Sequence, residues 1–273
     1  MKKILLAFEN NHFPEGAFEW LNNLHRKEPF LLVGVFLPQN QQSGLWSYTD
    51  AIGLPLVSEP RPAVMDHTDE QIRRFEERCL LYGINYKVHA EFYDFSLKEL
   101  IRESMFADLL VLGSENFYNE NLSLKSGLHL HDAMHDVKCP VLLVPDGGTF
   151  PENIILAYDG SEDAIRAIRQ FGLLFPELAT VATHLVYADE HRDKEIPYQN
   201  LIEEMAVRHF KQLTITRLLM DTHGEFDQWL KAQQSPLLVC GAFGRSGVSL
   251  LFKRSFVKEI IDGNQVPVFI AHH

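Results

Sequence analysis

Cysteine is scarce in this chain: three residues, Cys79, Cys139 and Cys240, an odd number with no CxxC spacing. That excludes a disulfide framework and a cysteine zinc knot, so the three are expected as reduced, mostly core thiols. No apolar run approaches the roughly 18 residues that a membrane span needs. Met1-Lys2-Lys3 enters a strand-like segment without the cleavage pattern of a signal peptide, and a cytoplasmic protein is expected. Positive charge is also in deficit: 25 Lys and Arg against 37 Asp and Glu give a net charge of -12. A negative chain is repelled by polyanions, so neither nucleic acid nor an anionic membrane is an expected partner. The common catalytic signatures are missing too, with no GxxxxGKS/T loop, no GxSxG elbow and no HExxH.

What the chain does contain is a near repetition of itself. Ile4-Leu5-Leu6-Ala7-Phe8-Glu9 reappears as Ile154-Ile155-Leu156-Ala157-Tyr158-Asp159. Leu109-Leu110-Val111-Leu112-Gly113 is matched by Leu237-Leu238-Val239-Cys240-Gly241, and Cys139-Pro140-Val141-Leu142-Leu143 by Val266-Pro267-Val268-Phe269-Ile270. Three matched segments in one order indicate a duplicated unit. At 273 residues the length also suits about two domains. We read a first domain over 1–146 and a second over 151–273, joined by the turn-rich Asp146-Gly147-Gly148-Thr149-Phe150-Pro151. The step between copies is 150 residues at Ile4 and Ile154, but 128 at Gly113 and Gly241 and 127 at Pro140 and Pro267. The first half therefore carries an insertion, placed near 38–66, where prolines and glycines mark a loop. Such a loop serves equally well as a functional lid or a plain insertion.

Each half alternates short apolar runs with longer helical stretches. In the second half the runs are Asn153 to Tyr158, Thr180 to Tyr187, Thr214 to Met220, Leu237 to Cys240 and Val266 to Ala271. Helices are predicted near 162–174, 197–211, 225–233 and 249–262. In the first half the runs are Lys3 to Phe8, Phe30 to Leu37, Asn85 to Ala90, Leu109 to Leu112 and Val141 to Val144, with helices near 14–26, 67–82, 96–106 and 124–136. Ser96-Leu97-Lys98-Glu99 has capping-box spacing. Strands that alternate with helices and are continuously apolar imply a parallel sheet covered on both faces. The expected fold is α/β: two tandem doubly wound domains with five-stranded parallel sheets, their sites beyond the carboxyl ends of the strands.

Chemistry must then come from strand-end loops. The second half reads Tyr158-Asp159-Gly160-Ser161-Glu162-Asp163 after its first strand and Gly241-Ala242-Phe243-Gly244-Arg245-Ser246-Gly247 after its fourth. Glycines let backbone amides approach an anion, and a following helix start adds its positive dipole end. Turns need glycines as well, so both readings stand here. Ser161 is more simply a helix cap than a nucleophile.

These features together resemble the universal stress protein family in a tandem two-domain form. The resemblance rests on the duplicated half, the Asp159-Gly160-Ser161 turn and the Gly241-xx-Gly244 turn, and it covers essentially the whole chain. It implies ATP or a related nucleotide in the second half. Ala157 and Asp159 would lie on the adenine side, with Val186 where backbone meets the base, and Gly241, Gly244 and Ser255 would contact ribose and phosphate. Nucleotide-binding members carry glycine before the final serine or threonine. Here that position is Arg254, whose side chain would either block the phosphate path or bind a phosphate itself. The first half departs further: Glu9 answers Asp159, Asn10 answers Gly160, Asn116 answers Gly244, and Gly127 faces Arg254 only after a one-residue shift. The resemblance also implies that Val141 to Val144 and Val266 to Ala271 lie side by side in an intramolecular pseudo-dimer, with a homodimer as a further expectation.

Two further chemistries follow from residue types. Asp159, Glu162 or Asp163 would suit magnesium beside a phosphate, since hard carboxylate oxygens suit that ion. No catalytic set accompanies them, and any ATP turnover is expected to be slow. His129, His131 and His135 cluster in one predicted helix, with His131 and His135 on one face at i, i+4 spacing. They would begin a zinc site if a third ligand converges; the plainer reading is a solvated polar face. The expected role is a nucleotide-responsive module for an unidentified protein partner, with a weak ATPase or a metal-linked, nucleotide-free stress protein as alternatives.

Overall fold

A computed structural model describes residues 1–9, 12–37, 62–90, 97–113, 136–189, 195–219, 223–241 and 266–271. The chain runs β1 (Lys3–Glu9), α1 (Glu15–His25), β2 (Leu31–Leu37), α2 (Pro62–Tyr82), β3 (Asn85–Ala90), α3 (Leu97–Ser104), β4 (Leu109–Gly113) and β5 (Val141–Val144). It continues β6 (Asn153–Ala157), α4 (Glu162–Leu174), β7 (Ala182–Asp189), α5 (Gln199–His209), β8 (Gln212–Leu219), α6 (His223–Lys231), β9 (Pro236–Gly241) and β10 (Val268–Ala271). These strands form one sheet in the order β3-β2-β1-β4-β5-β10-β9-β6-β7-β8. Every described pairing is parallel except β5 with β10, which is antiparallel.

The order 3-2-1-4-5 recurs in the second set of five strands, read inward from β8 to β10. Register carries the duplication to single residues. Lys3 pairs with Leu31 as Asn153 pairs with Ala182, and Ile4 pairs with Leu109 as Ile154 pairs with Leu237. The step of 150 at the first strand and 128 at the fourth is thus the same in space as in sequence.

The period-2 geometry of a strand sends alternate residues to opposite faces. Ile4, Leu6 and Phe8 join one core with Phe18 and Leu21 of α1, Phe75 and Cys79 of α2, Ile168 and Phe171 of α4 and Ile202 of α5. Leu5 and Ala7 join the other with Leu100 of α3 and Phe226 and Leu230 of α6. Each fully buried large apolar side chain contributes roughly 1.5–3 kcal/mol, so continuous apolar strands are what a sheet covered on both faces requires. Trp20 of α1 meets Phe175, just past α4, edge-on at 5.8 Å, and Phe150 at 5.3 Å, so the first core runs unbroken from one set of strands to the other.

Several boundaries shift from the sequence reading, and three of the shifts have a clear physical reason. Helix α2 begins at Pro62, inside the stretch read as insertion loop. Proline suits the first helical turn, where its missing N–H has no partner to lose. Strand β7 continues to Asp189 and β8 begins at Gln212, because the two keep a parallel ladder from Ala182↔Gln212 to Asp189↔Leu219 that backbone alone can maintain past the apolar run. The predicted helix 124–136 up to residue 135, the predicted helix 249–262, the capping serine Ser96 and most of the insertion lie outside the described residues.

Candidate functional site

The second half's first strand ends in a turn fixed by three local contacts. Gly160 has φ +84°, a conformation that glycine adopts without Cβ strain. Asp159 Oδ1 accepts the Ser161 amide at 2.8 Å, and Ser161 Oγ accepts the Ala164 amide at 3.2 Å. Ser161 is therefore the N-cap of α4, with Glu162 and Asp163 in the first turn, where acidic groups complement the helix dipole. Helix α4 then buries Ala164, Ala167, Ile168 and Phe171 at helical spacing, which sets its start over the end of β6. Asp159 Oδ2 accepts from none of the described residues.

Gly241 ends β9 against that same helix start. A Cβ there would stand 2.5 Å from the Asp163 carbonyl carbon and 2.6 Å from the Ala164 amide nitrogen. Close packing of strand on helix is thus one sufficient reason for glycine at this place. Val186 is buried, pairs with Ala157, and gives its carbonyl to the Tyr158 amide at 3.0 Å. The structure therefore brings Ala157, Asp159, Val186 and Gly241 to neighbouring strand ends of β6, β7 and β9. Gly244, Arg254 and Ser255 lie outside the described residues, as do His129, His131 and His135. Among the described residues no group of three or more metal-ligating side chains converges.

A lock beside this turn has no counterpart in the sequence reading. The Tyr158 phenol donates to the Pro197 carbonyl at 2.7 Å. Pro197 lies directly on the turn, because a Cβ on Gly160 would be 2.7 Å from Pro197 Cβ. Burial first, then the Asp159 charge, pushes the Tyr158 phenol up to about 12, so it stays a neutral donor at ordinary pH. The contact spans 39 positions in the chain, and only the tertiary fold brings its partners together.

The corresponding end of the first half is filled differently. Register makes Phe8 the counterpart of Tyr158 and Phe36 that of Tyr187. Phe8 and Phe36 stack at 4.3 Å, Phe13 meets Phe8 at 5.4 Å, and Phe75 meets Phe8 at 5.5 Å. Where the second half presents hydroxyls, the first presents hydrocarbon. At its α1 start the Gly16 amide donates to Asp146 Oδ1 at 3.1 Å, while His12 Nε2 lies 2.9 Å from Oδ2, so a carboxylate of the chain already serves that helix end. The three cysteines are buried and free, with burial pushing each thiol to about 12, so each stays protonated at ordinary pH. Among the described residues no helix is long and apolar enough to cross a membrane.

No family model and no curated protein matches the sequence. Solved structures do match. Over 100% of its length the chain is similar to a universal stress protein from Archaeoglobus fulgidus DSM 4304, covering 96% of that chain with a TM-score of 0.69 at 17% identity. It is similar over 100% of its length to a functionally unknown protein from Pseudomonas aeruginosa PAO1, covering 92% of it with a TM-score of 0.56 at 11% identity. A protein described as a universal stress protein from Pseudomonas aeruginosa UCBPP-PA14 is covered to 93%, with a TM-score of 0.53 at 13% identity. The chain has the universal stress protein fold across its full length.

Proposed function

We propose that the chain is a tandem universal stress protein, with domains at 1–146 and 151–273, whose second domain binds ATP or a related nucleotide and passes the bound state to a protein partner. The observation that carries this is the unequal chemistry of the two strand ends. One is filled by the Phe8, Phe13, Phe36 and Phe75 rings. The other keeps a carboxylate oxygen on Asp159 unused by the described residues, beside a capped helix start. A carboxylate there suits the amino or hydroxyl donors of a nucleoside, and the α4 N-terminus favours negative charge. In this reading Asp159 faces the nucleoside, Gly244 and Ser255 face the phosphates, and Arg254 supplies a guanidinium to them. Magnesium would accompany the phosphates through carboxylates of the Asp159 to Asp163 turn. A partner would read the ligand through reordering of the chain after Gly241, since a ligand shifts a conformational equilibrium only by its differential affinity for the two states.

Thermal unfolding with ATP, ADP and zinc, each added separately, tests this reading. Stabilisation by either nucleotide is expected, growing with ligand concentration as mass action requires. Gly244→Leu should abolish that shift. Stabilisation by zinc alone would replace the nucleotide site with the histidine cluster. No shift with any of the three would leave a ligand-free scaffold.

A further inference from the structure

Tyr198 stands in the left-handed backbone region, φ 52° and ψ 33°, at the start of α5. Glycine and asparagine visit that region readily, whereas for a bulky side chain it is strained. The only other described non-glycine residue with positive φ is Ser235. Burial does not offset the strain, because Tyr198 is 67% exposed. A strained backbone therefore carries an aromatic ring into solvent, and neither feature stabilises the fold. The conformation is nevertheless held firmly. The Tyr198 carbonyl accepts the Leu201 amide at 2.9 Å and the Ile202 amide at 3.1 Å, and Ile202 is buried in the core.

Its position follows from its neighbour. Pro197 is seated on Gly160 and tied to Tyr158, so Tyr198 projects from a segment fixed to the end of β6. Tyr198 thus follows directly on the residue that covers the turn closed by Asp159 and Ser161. Strain retained at a fixed, solvent-facing position is characteristic of ligand clamps.

We propose that Tyr198 is a stacking platform, held beside the end of β6 to receive the flat face of a nucleobase whose polar edge meets Asp159. This inference rests on the nucleotide reading and adds to it the residue that selects a planar ligand. A ring positioned before binding loses little freedom when the ligand arrives, so its contact goes largely into affinity. Discrimination would favour ligands with a base over inorganic di- or triphosphate.

The test is calorimetric titration of the full chain with magnesium ADP, comparing wild type with Tyr198→Ala, Tyr198→Gly and Tyr198→Phe, alongside melting of each ligand-free protein. Loss of base stacking should weaken the alanine and glycine variants by roughly five- to hundred-fold. The phenylalanine variant, which keeps the ring, should bind within about two-fold of wild type. Tyr198→Gly should also raise the melting temperature of the ligand-free protein, since it relieves the strain; a purely structural tyrosine would not combine higher stability with lower affinity. Wild-type binding with equal affinity in all four proteins would overturn the platform and leave the nucleotide site standing. A wild-type chain that binds neither magnesium ADP nor magnesium ATP would overturn both.

Discussion

Leu142 of β5 and Phe269 of β10 sit opposite one another in the antiparallel ladder, and they are also each other's counterparts in the duplication. On either side Val141 pairs with Ile270, the counterpart of Leu143, and Leu143 pairs with Val268, the counterpart of Val141. A pseudo-twofold axis therefore passes between Leu142 and Phe269. Phe269 also meets Phe171 at 5.2 Å and Phe175 at 6.0 Å, which makes the axis a packed centre of the larger core. Phe269→Ala is expected to cost about 3–5 kcal/mol. Urea unfolding measures it; a loss below about 1 kcal/mol would show that the junction contributes little.

Gly241 and Gly160 should tolerate no side chain, for different reasons. At Gly241 a methyl group meets α4 backbone, which cannot swing aside, so Gly241→Ala should destabilise by about 1–3 kcal/mol. At Gly160 the left-handed φ adds to the Pro197 contact, and Gly160→Ala should cost about 1 kcal/mol or more. Denaturation midpoints at unchanged m-value would confirm both, and a neutral Gly241→Ala would mean that strand and helix separate easily.

Tyr158→Phe isolates the lock. It keeps the buried ring and removes the donor to the Pro197 carbonyl, so a loss of about 1 kcal/mol is expected. Hydrogen exchange should show faster opening of the first turn of α5 than of the rest of that helix. Uniform protection across α5 would mean that Pro197 is held by packing on Gly160 alone.

Lys2 ties Glu28 and Glu177 together, pairing with Glu28 and lying 3.5 Å from Glu177 Oε1. Burial first, and the adjoining Glu28 carboxylate with it, raises the Glu177 carboxyl above its ordinary value. The Lys2 bond holds Glu28 below its own, with the N-terminal charge adding to that effect. A raised carboxyl favours the folded state when protonated, so its contribution is full below the ordinary carboxylate range and is lost as pH climbs through the raised value. The lowered Glu28 acts in the opposite sense, contributing above the ordinary range and failing as pH falls through its lowered value. Glu177→Gln cannot ionise and should flatten the decline in stability as pH rises above the ordinary carboxylate range. Parallel stability curves for variant and wild type would contradict this.

Local pattern made most of the elements legible. Helix α4, strands β3 and β5, and all three matched segments could be placed because periodicity, a capping serine and apolar runs agree there with the global fold. The start of α2 at Pro62 was hidden by proline's usual role in loops, and the ends of β7 and β8 by the polar Asp189 and Gln212, which the parallel ladder carries beyond the apolar runs. At the candidate site, Asp159 and Gly241 were legible because the duplication pointed to them. The Tyr158 lock was not, since a phenol meeting a carbonyl 39 positions away leaves no mark on local pattern. Nor does a left-handed tyrosine, which becomes evident only once φ is known.

The reversal of direction between β5 and β10 has a consequence for how the molecule meets its surroundings. The first five strands point their carboxyl ends one way and the last five the other. Its greasy, aromatic-plugged tip and its polar, tyrosine-bearing tip thus look out on opposite horizons. If the second domain binds a nucleotide as proposed, a protein that reads the bound state must approach from the tyrosine-bearing pole, because the strands of the other domain end on the far side.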